Sequence, residues 1–360
     1  CASHIDSPRL DLKQNPLYES DELAMFKTHY YGGIKKYQWT TIPLSLHGVI
    51  VKRDGSKVEI NIGEDENDPV FCVTDLLIHL ATEQMQKNLA KAIEGEKLNI
   101  LIGSQPLGNS DESDLVKLNI MKLLNEKYGI VEDDFMSAEI EAVPAFKARD
   151  IGFDRSMIGS YGHDDRVCAY PSMMACMDTT SPNKTSVVIL TDKEETGSDG
   201  NTGLCSSYLK YFIHDLAECF GVNGRTVLSN SECLSADVNA GFDPTYPEVA
   251  DKNNFAFLNY GVVVTKFTGA RGKSGTSDAS AEFVGKVHNL LRDNGIIFQT
   301  GELGKVDAGG GGTVAMYIAN LDVNTIDVGV PVLCMHAPFE VVAKTDVYMA
   351  YKSFYVFMNE

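Results

Sequence analysis

The chain has 360 residues, 44% hydrophobic and 22% charged, which is more than one hydrophobic core usually accommodates, so two domains are expected. Its 31 basic against 50 acidic side chains leave a formal net charge of −19, which repels nucleic-acid phosphates and argues against a nucleic-acid partner. No apolar run approaches the roughly 20 residues that span a bilayer, and eight cysteines without a CxxC pair fit reduced thiols in a cytoplasmic protein better than a disulfide framework or a cysteine zinc site.

The opening Cys1-Ala2-Ser3-His4-Ile5-Asp6 has no basic stretch leading into an apolar one, so no secretory signal is read within the chain. From about residue 15 to 144 the strand signals are those of an antiparallel sheet, with residues 44–52 reading as a strand, Asp54-Gly55 as a tight turn and 57–62 as the partner. Apolar spacings of three and four predict helices over 73–89 and 112–124. From residue 153 onward, strand-like runs at 186–190, 261–267 and 328–335 alternate with helix-like runs at 207–220, 279–292, 313–319 and 345–358. That alternation predicts an α/β domain, a sheet with helices on its faces, and such sheets carry their sites just beyond the strand ends.

Five segments hold residue types that a two-metal hydrolytic site needs, namely two imidazoles and several carboxylates, one of them shared between cations. They are His4-Ile5-Asp6, Gly162-His163-Asp164-Asp165-Arg166, Asp192-Lys193-Glu194-Glu195, Ser235-Ala236-Asp237 and Met335-His336-Ala337-Pro338-Phe339-Glu340. Taken singly, each also fits a solvated acidic face or a satisfied polar residue after a strand. Gly272-Lys273-Ser274 suggests a phosphate loop, but Phe267 stands where that motif needs a glycine. The run 309–312 reads either as a flexible turn or as backbone that approaches a substrate. His29, His47, His163, His214 and His288 are taken as structural or surface histidines.

Together the five segments resemble the aspartyl aminopeptidase (aminopeptidase I) family, and its bacterial branch in particular. The likeness extends to Ser7-Pro8-Arg9-Leu10-Asp11-Leu12-Lys13, Tyr30-Tyr31-Gly32-Gly33, residues 61–69 and Pro144-Ala145-Phe146-Lys147-Ala148-Arg149-Asp150. It implies a helix-covered mixed β-sheet of the zinc aminopeptidase type, formed by residues 1–13 and 148–360, with an antiparallel β-rich dimerisation domain inserted at 14–147. It further implies two Zn2+ per subunit, with Co2+ or Mn2+ as substitutes. One ion would be held by His4, Asp164 and Asp237, the other by Asp164, Glu195 and His336, with Asp164 as the bridge. Asp6 corresponds to the carboxylate that orients His4, and Glu194 to the general base.

The same resemblance implies peptide substrates that lose one N-terminal residue, and self-association into dimers and a tetrahedral dodecamer. His79 matches the histidine that enters a neighbouring subunit's site and helps stabilise the tetrahedral intermediate. Ile5 stands where the family usually has threonine, and His163 where glutamine is commoner. Ala270 occupies the place of a lysine that acid-preferring relatives use on the substrate, which leaves Arg271 and Lys273 as candidates for substrate binding; Gly311 and Gly312, from the glycine run 309–312, are separate candidates. Family members carry several tens of residues before the His-x-Asp strand, so the natural protein is expected to continue upstream of residue 1. The competing readings are a two-metal deacylase or carboxypeptidase, and an inactive assembly protein with structural metals.

Overall fold

The computed structural model describes residues 1–108 and 113–360, and the chain separates into two compact units, Cys1–Ser7 with Ala148–Glu360, and Pro8–Lys147. It is a mixed α/β protein. No helix among the described residues is long and apolar enough to cross a membrane.

The first unit contains two sheets. In the six-stranded sheet the order is Ile189–Thr191, Ala2–His4, Glu232–Ser235, Asn324–Gly329, Val262–Thr265 and Phe298–Thr300, parallel throughout except where Val262–Thr265 meets Asn324–Gly329. The inner strands are almost wholly buried, the pattern of a sheet covered on both faces. Val262, Val264, Ile326 and Val328 join Leu291 of helix Ala281–Asp293 and Phe354 of helix Lys344–Met358 in one core. Ser280 starts the former helix as its N-cap, accepting the Phe283 amide at 3.2 Å. The second sheet runs Asn239–Ala240, Pro331–Leu333, Glu340–Ala343, Met157–Ser160 and Arg149–Ile151.

The apolar run expected over 328–335 is split by the structure. Residues Asn324–Gly329 belong to the six-stranded sheet and Pro331–Leu333 to the five-stranded one, with the break at Val330. Both pieces are largely buried, so hydrophobicity alone carried no sign of the crossing.

The second unit is a seven-stranded antiparallel sheet in the order Lys57–Ile62, Leu44–Val51, Ala138–Pro144, Arg9–Ser20, Leu23–Tyr31, Ile100–Gly103 and Cys72–Val73. The hairpin of the first two strands turns at Gly55, whose φ of 84° suits glycine. Helix Leu115–Tyr128 ends at left-handed Gly129; of the expected 112–124 helix, residue 112 lies outside the described residues.

The helix expected over 73–89 is not formed. In its place stand the strand Cys72–Val73, a 3-10 turn Ile78–Leu80 and two four-residue helices, Thr82–Met85 and Leu89–Ala92. The apolar spacing is real, but Ile78 and Leu80 are 65% and 68% exposed, and Leu76, Leu77, Met85 and Leu89 are exposed as well. A helix of this length draws most of its stability from packing its apolar face, and these side chains are left about half or more exposed.

Candidate metal centre

Three adjacent parallel strands of the six-stranded sheet end at one rim, where open α/β sheets place their ligands. His4 is the last residue of Ala2–His4, Glu194 and Glu195 occupy the turn that follows Ile189–Thr191, and Asp237 follows Glu232–Ser235. The five-stranded sheet supplies the rest. Asp164 follows Met157–Ser160 behind left-handed Gly162, and His336, itself left-handed at φ 64°, sits in the turn between Pro331–Leu333 and Glu340–Ala343. Asp164 falls within the helical segment His163–Asp178, but its own backbone is extended (φ −80°, ψ 106°), which turns its side chain away from the helix proper.

These side chains form two donor groups that could each hold a metal ion, His4 with Asp164 and Asp237, and Asp164 with Glu195 and His336; in each group the donor atoms lie within 4.8 Å of one another. Asp164 belongs to both. Its Oδ1 is 3.1 Å from His4 Nε2 and its Oδ2 3.2 Å from His336 Nε2. Asp237 Oδ1 lies 3.8 Å from His4 Nε2, and Glu195 Oε2 3.4 Å from His336 Nε2. Glu194 stands beside the groups without joining either, its Oε2 3.9 Å from His4 Nε2.

Asp6 does two things at once. It approaches His4 Nδ1 with both its backbone oxygen (3.0 Å) and its Oδ1 (3.3 Å), which leaves Nε2 directed at Asp164. It also accepts the amides of Glu194 and Glu195, each at 3.1 Å, on its two carboxylate oxygens. Lys193, at φ 66°, turns the chain so that these two successive amides face one carboxylate.

The electrostatics fit a cation site. Burial is the largest influence on Glu194 and pushes its carboxyl up to about 7, with the Asp164 and Asp6 charges adding and the two imidazoles opposing. Glu195 is pushed up to about 8, by burial first and then by Asp164. Burial and then Asp165 raise Asp237 well above the usual carboxylate range. Asp164 is the exception. Burial opposes its charge, but hydrogen bonds from His336 and His4 outweigh that and hold it low. His4 is raised in turn, since its bonds to Asp164 and Asp6 outweigh burial. Four carboxylates with two imidazoles are short of positive charge, and Glu195 Oε1 is buried with no hydrogen-bond partner among the described residues. Mixed imidazole and carboxylate donors of this kind suit zinc.

The other expected site residues belong to neither donor group. His79 is in the second unit, exposed in the turn Ile78–Leu80. Lys273 is engaged, donating to Asp278 at 2.8 Å and lying 3.7 Å over the Phe267 ring; Lys266 donates to the same carboxylate. Arg271 is exposed. Gly311 accepts the Gly269 amide at 2.6 Å, and a Cβ on Gly310 would lie 2.2 Å from the Gly269 oxygen, so the glycine run is packed on the 269–270 backbone. A Cβ on Gly311 or Gly312 would meet only ordinary or slightly tight contacts.

Three residues have supporting roles that the sequence did not assign to them. Ser7 donates to the Asp164 carbonyl at 2.7 Å, and Glu340 accepts amides from two site residues. Gly329 is the third, for a Cβ there would lie 1.7 Å from the Asp237 carbonyl oxygen. Each acts on a residue distant in sequence, Glu340 also on His336 four residues before it, and spacing alone does not reveal these roles. Gly329→Ala is expected to displace the Asp237 backbone and to cost about 1–3 kcal/mol of stability, the usual range for overpacking. An unchanged thermal midpoint and unchanged zinc affinity would contradict that.

Comparison with known proteins adds to this picture. The model of the aminopeptidase I zinc metalloprotease (M18) family matches residues 1–358. A probable M18 family aminopeptidase 1 from Clostridium acetobutylicum is 55% identical over 99% of this chain and 78% of its own length, and one from Thermotoga maritima is 48% identical over 98% and 79%. Among solved structures, an M18 family aminopeptidase from Thermotoga maritima superposes with a TM-score of 0.97 at 46% identity, covering 99% of this chain and 80% of that one. Aminopeptidase I from Clostridium acetobutylicum gives 0.95 at 52% identity, covering 100% and 78%. The mApe1 dodecamer of Saccharomyces cerevisiae shares the fold at 0.77 with 22% identity, over 99% and 78%.

Proposed function

This chain belongs to the aminopeptidase I zinc metalloprotease (M18) family, and from that premise we propose that it removes the N-terminal residue of peptides using two zinc ions per subunit and Glu194 as general base. The observation that carries the reading is Asp164, one carboxylate whose two oxygens face two different imidazoles. His4, Asp164 and Asp237 would hold one ion, and Asp164, Glu195 and His336 the other. Ions bound there supply Lewis acidity at the scissile carbonyl and an acidified water; cobalt or manganese suits the same donors.

Asp6 keeps the His4 ring turned so that Nε2 faces Asp164, and its grip on the Glu194 and Glu195 amides keeps the base and a neighbouring ligand in register. Glu194 is free of both donor groups and its carboxyl is pushed up to about 7. It takes a proton from the attacking water as the water oxygen bonds to the carbonyl carbon, then delivers that proton to the departing amine as the C–N bond breaks.

Arg271 is the proposed reader of an acidic first side chain, since Lys273 is already paired with Asp278, and the backbone of Gly311 and Gly312 is proposed to flank the substrate. A panel of aminoacyl amides with acidic, basic and apolar first residues tests both reaction and preference. Asp and Glu amides should lead, and Arg271→Ala should remove the lead. A lead for Lys or Leu amides contradicts the role of Arg271, and cleavage of N-acetylated but not free-amine peptides would make the enzyme a deacylase or carboxypeptidase instead.

The second unit is proposed to mediate dimers that build a tetrahedral dodecamer, with His79 entering a neighbour's site. Two observations support this: Leu76, Leu77, Ile78 and Leu80 surround His79 and are exposed, and the yeast mApe1 structure is a dodecamer. The chain is further proposed to be cytoplasmic, a reading supported by eight cysteines with no CxxC pair among them.

A further inference from the structure

We infer that Glu340 is a positioning residue of the metal centre, a clamp that holds the shared ligand Asp164 and the imidazole of His336 in one fixed relation. The inference rests on the proposed two-ion centre. Glu340 is buried, opens the strand Glu340–Ala343 and stands opposite Ser160 at the end of Met157–Ser160. Its Oε2 accepts the Asp164 amide at 3.1 Å and its Oε1 accepts the His336 amide at 2.8 Å. One rigid carboxylate therefore joins two chain segments that lie far apart in sequence.

Both amides need such a partner. The Asp164 amide lies at the start of a helical segment, where backbone N–H groups have no intrahelical acceptor. The His336 amide belongs to a residue in the left-handed region, a conformation that a non-glycine side chain keeps only where its surroundings enforce it. Ser7 holds the Asp164 carbonyl, so the backbone around the bridging residue is fixed on both sides. The arrangement parallels Asp6, which accepts the amides of Glu194 and Glu195 in the same two-oxygen manner. Two carboxylates that need not touch a metal thus accept the amides of four residues at the centre. A carboxylate is the side chain that suits this, because it offers two acceptor oxygens and no donor.

The chemistry of the side chain makes the inference testable. Glutamine has nearly the same shape but offers one oxygen and an NH2 group, so one of the two amides would face a donor. Glu340→Gln also removes a buried negative charge near the proposed cations, which weakens their attraction whether or not the amides are held. Glu340→Asp keeps the charge and is the variant that isolates the clamp.

The test is competition for zinc between a chromophoric chelator and metal-free full-length protein, with kcat and KM measured on the reloaded enzyme. Glu340→Gln should weaken at least one zinc site by about 10–100-fold, the usual cost of losing a group that orients a ligand. Reloaded to saturation, it should lose kcat with KM little changed. Zinc affinity and kcat equal to those of the unchanged protein would overturn the inference. If the unchanged protein takes up no zinc, the metal-site reading fails instead, and the two failures are told apart. Glu340→Asp decides between lost charge and lost clamp, since its carboxylate keeps the charge but is one methylene too short to reach both amides: weakened zinc binding supports the clamp, and unchanged binding overturns it. Failure of both variants to fold would make Glu340 a structural residue and equally overturn the inference.

Discussion

Glu194→Gln is expected to lower turnover by at least ~10²-fold while leaving zinc content unchanged, the range that loss of a general base usually costs. The two halves of that result have separate physical origins. Zinc content is retained because Glu194 is in neither donor group. Turnover falls because the glutamine amide cannot take a proton from water, although it fills the same volume. Burial raises the carboxyl toward neutrality, the range in which a base both accepts and releases a proton readily. Metal analysis and steady-state kinetics on the same preparation check both halves. Loss of zinc together with activity would move Glu194 among the ligands, and survival of turnover would remove it from the chemistry.

His79→Ala is the second large effect expected, a fall of ~10²–10³-fold in kcat, as when one donor to a developing oxyanion is removed. The residue is exposed within an apolar stretch, where Ile78 and Leu80 on either side face outward as well. Docking on a neighbouring subunit accounts for both the exposed apolar side chains and the histidine among them. The proposal makes a demand that only an exchanged residue satisfies. Co-assembled His79→Ala and Glu194→Gln subunits should regain part of the activity that each lacks alone, because one site then combines an intact base with an intact donated imidazole. No regain in verified mixed oligomers, or full activity in an isolated monomer, would confine His79 to its own subunit or exclude it.

How far the molecule is legible from its residues differs between its parts. The hairpin around Asp54-Gly55 was legible because alternation and a turn dipeptide are local signals, and the helices Tyr208–Cys219 and Ala281–Asp293 were legible from apolar spacing. The same spacing misled over 73–89, where the apolar side chains face outward and the chain breaks into short pieces. Periodicity reports that a face is apolar, not that this chain covers it. The run 328–335 failed for another reason, since a strand passing between two sheets stays buried on both sides of the break.

At the centre, His4, Asp164, Glu195, Asp237 and His336 were named through the order and wording of their segments, not through any spacing that physics demands of a metal site. What holds them was invisible. The left-handed backbone of Lys193 and His336 is not signalled by their residue types, and the approach of Gly329 to Asp237 and the hold of Glu340 on Asp164 depend on contacts between distant segments. Asp6 lies between the two cases: the family resemblance implies an orienting carboxylate there, but its hold on the Glu194 and Glu195 amides emerges only from the fold.

The central claim is that two donor groups sharing Asp164 hold two zinc ions on which activity depends. Its most direct test is equilibrium dialysis of the purified protein against zinc, with bound metal and aminopeptidase activity followed on the same samples before and after chelation. Two zinc ions per chain are expected, with activity lost as they are removed and restored when zinc or cobalt is returned. Full activity with a single ion per chain, or activity indifferent to chelation, would contradict it.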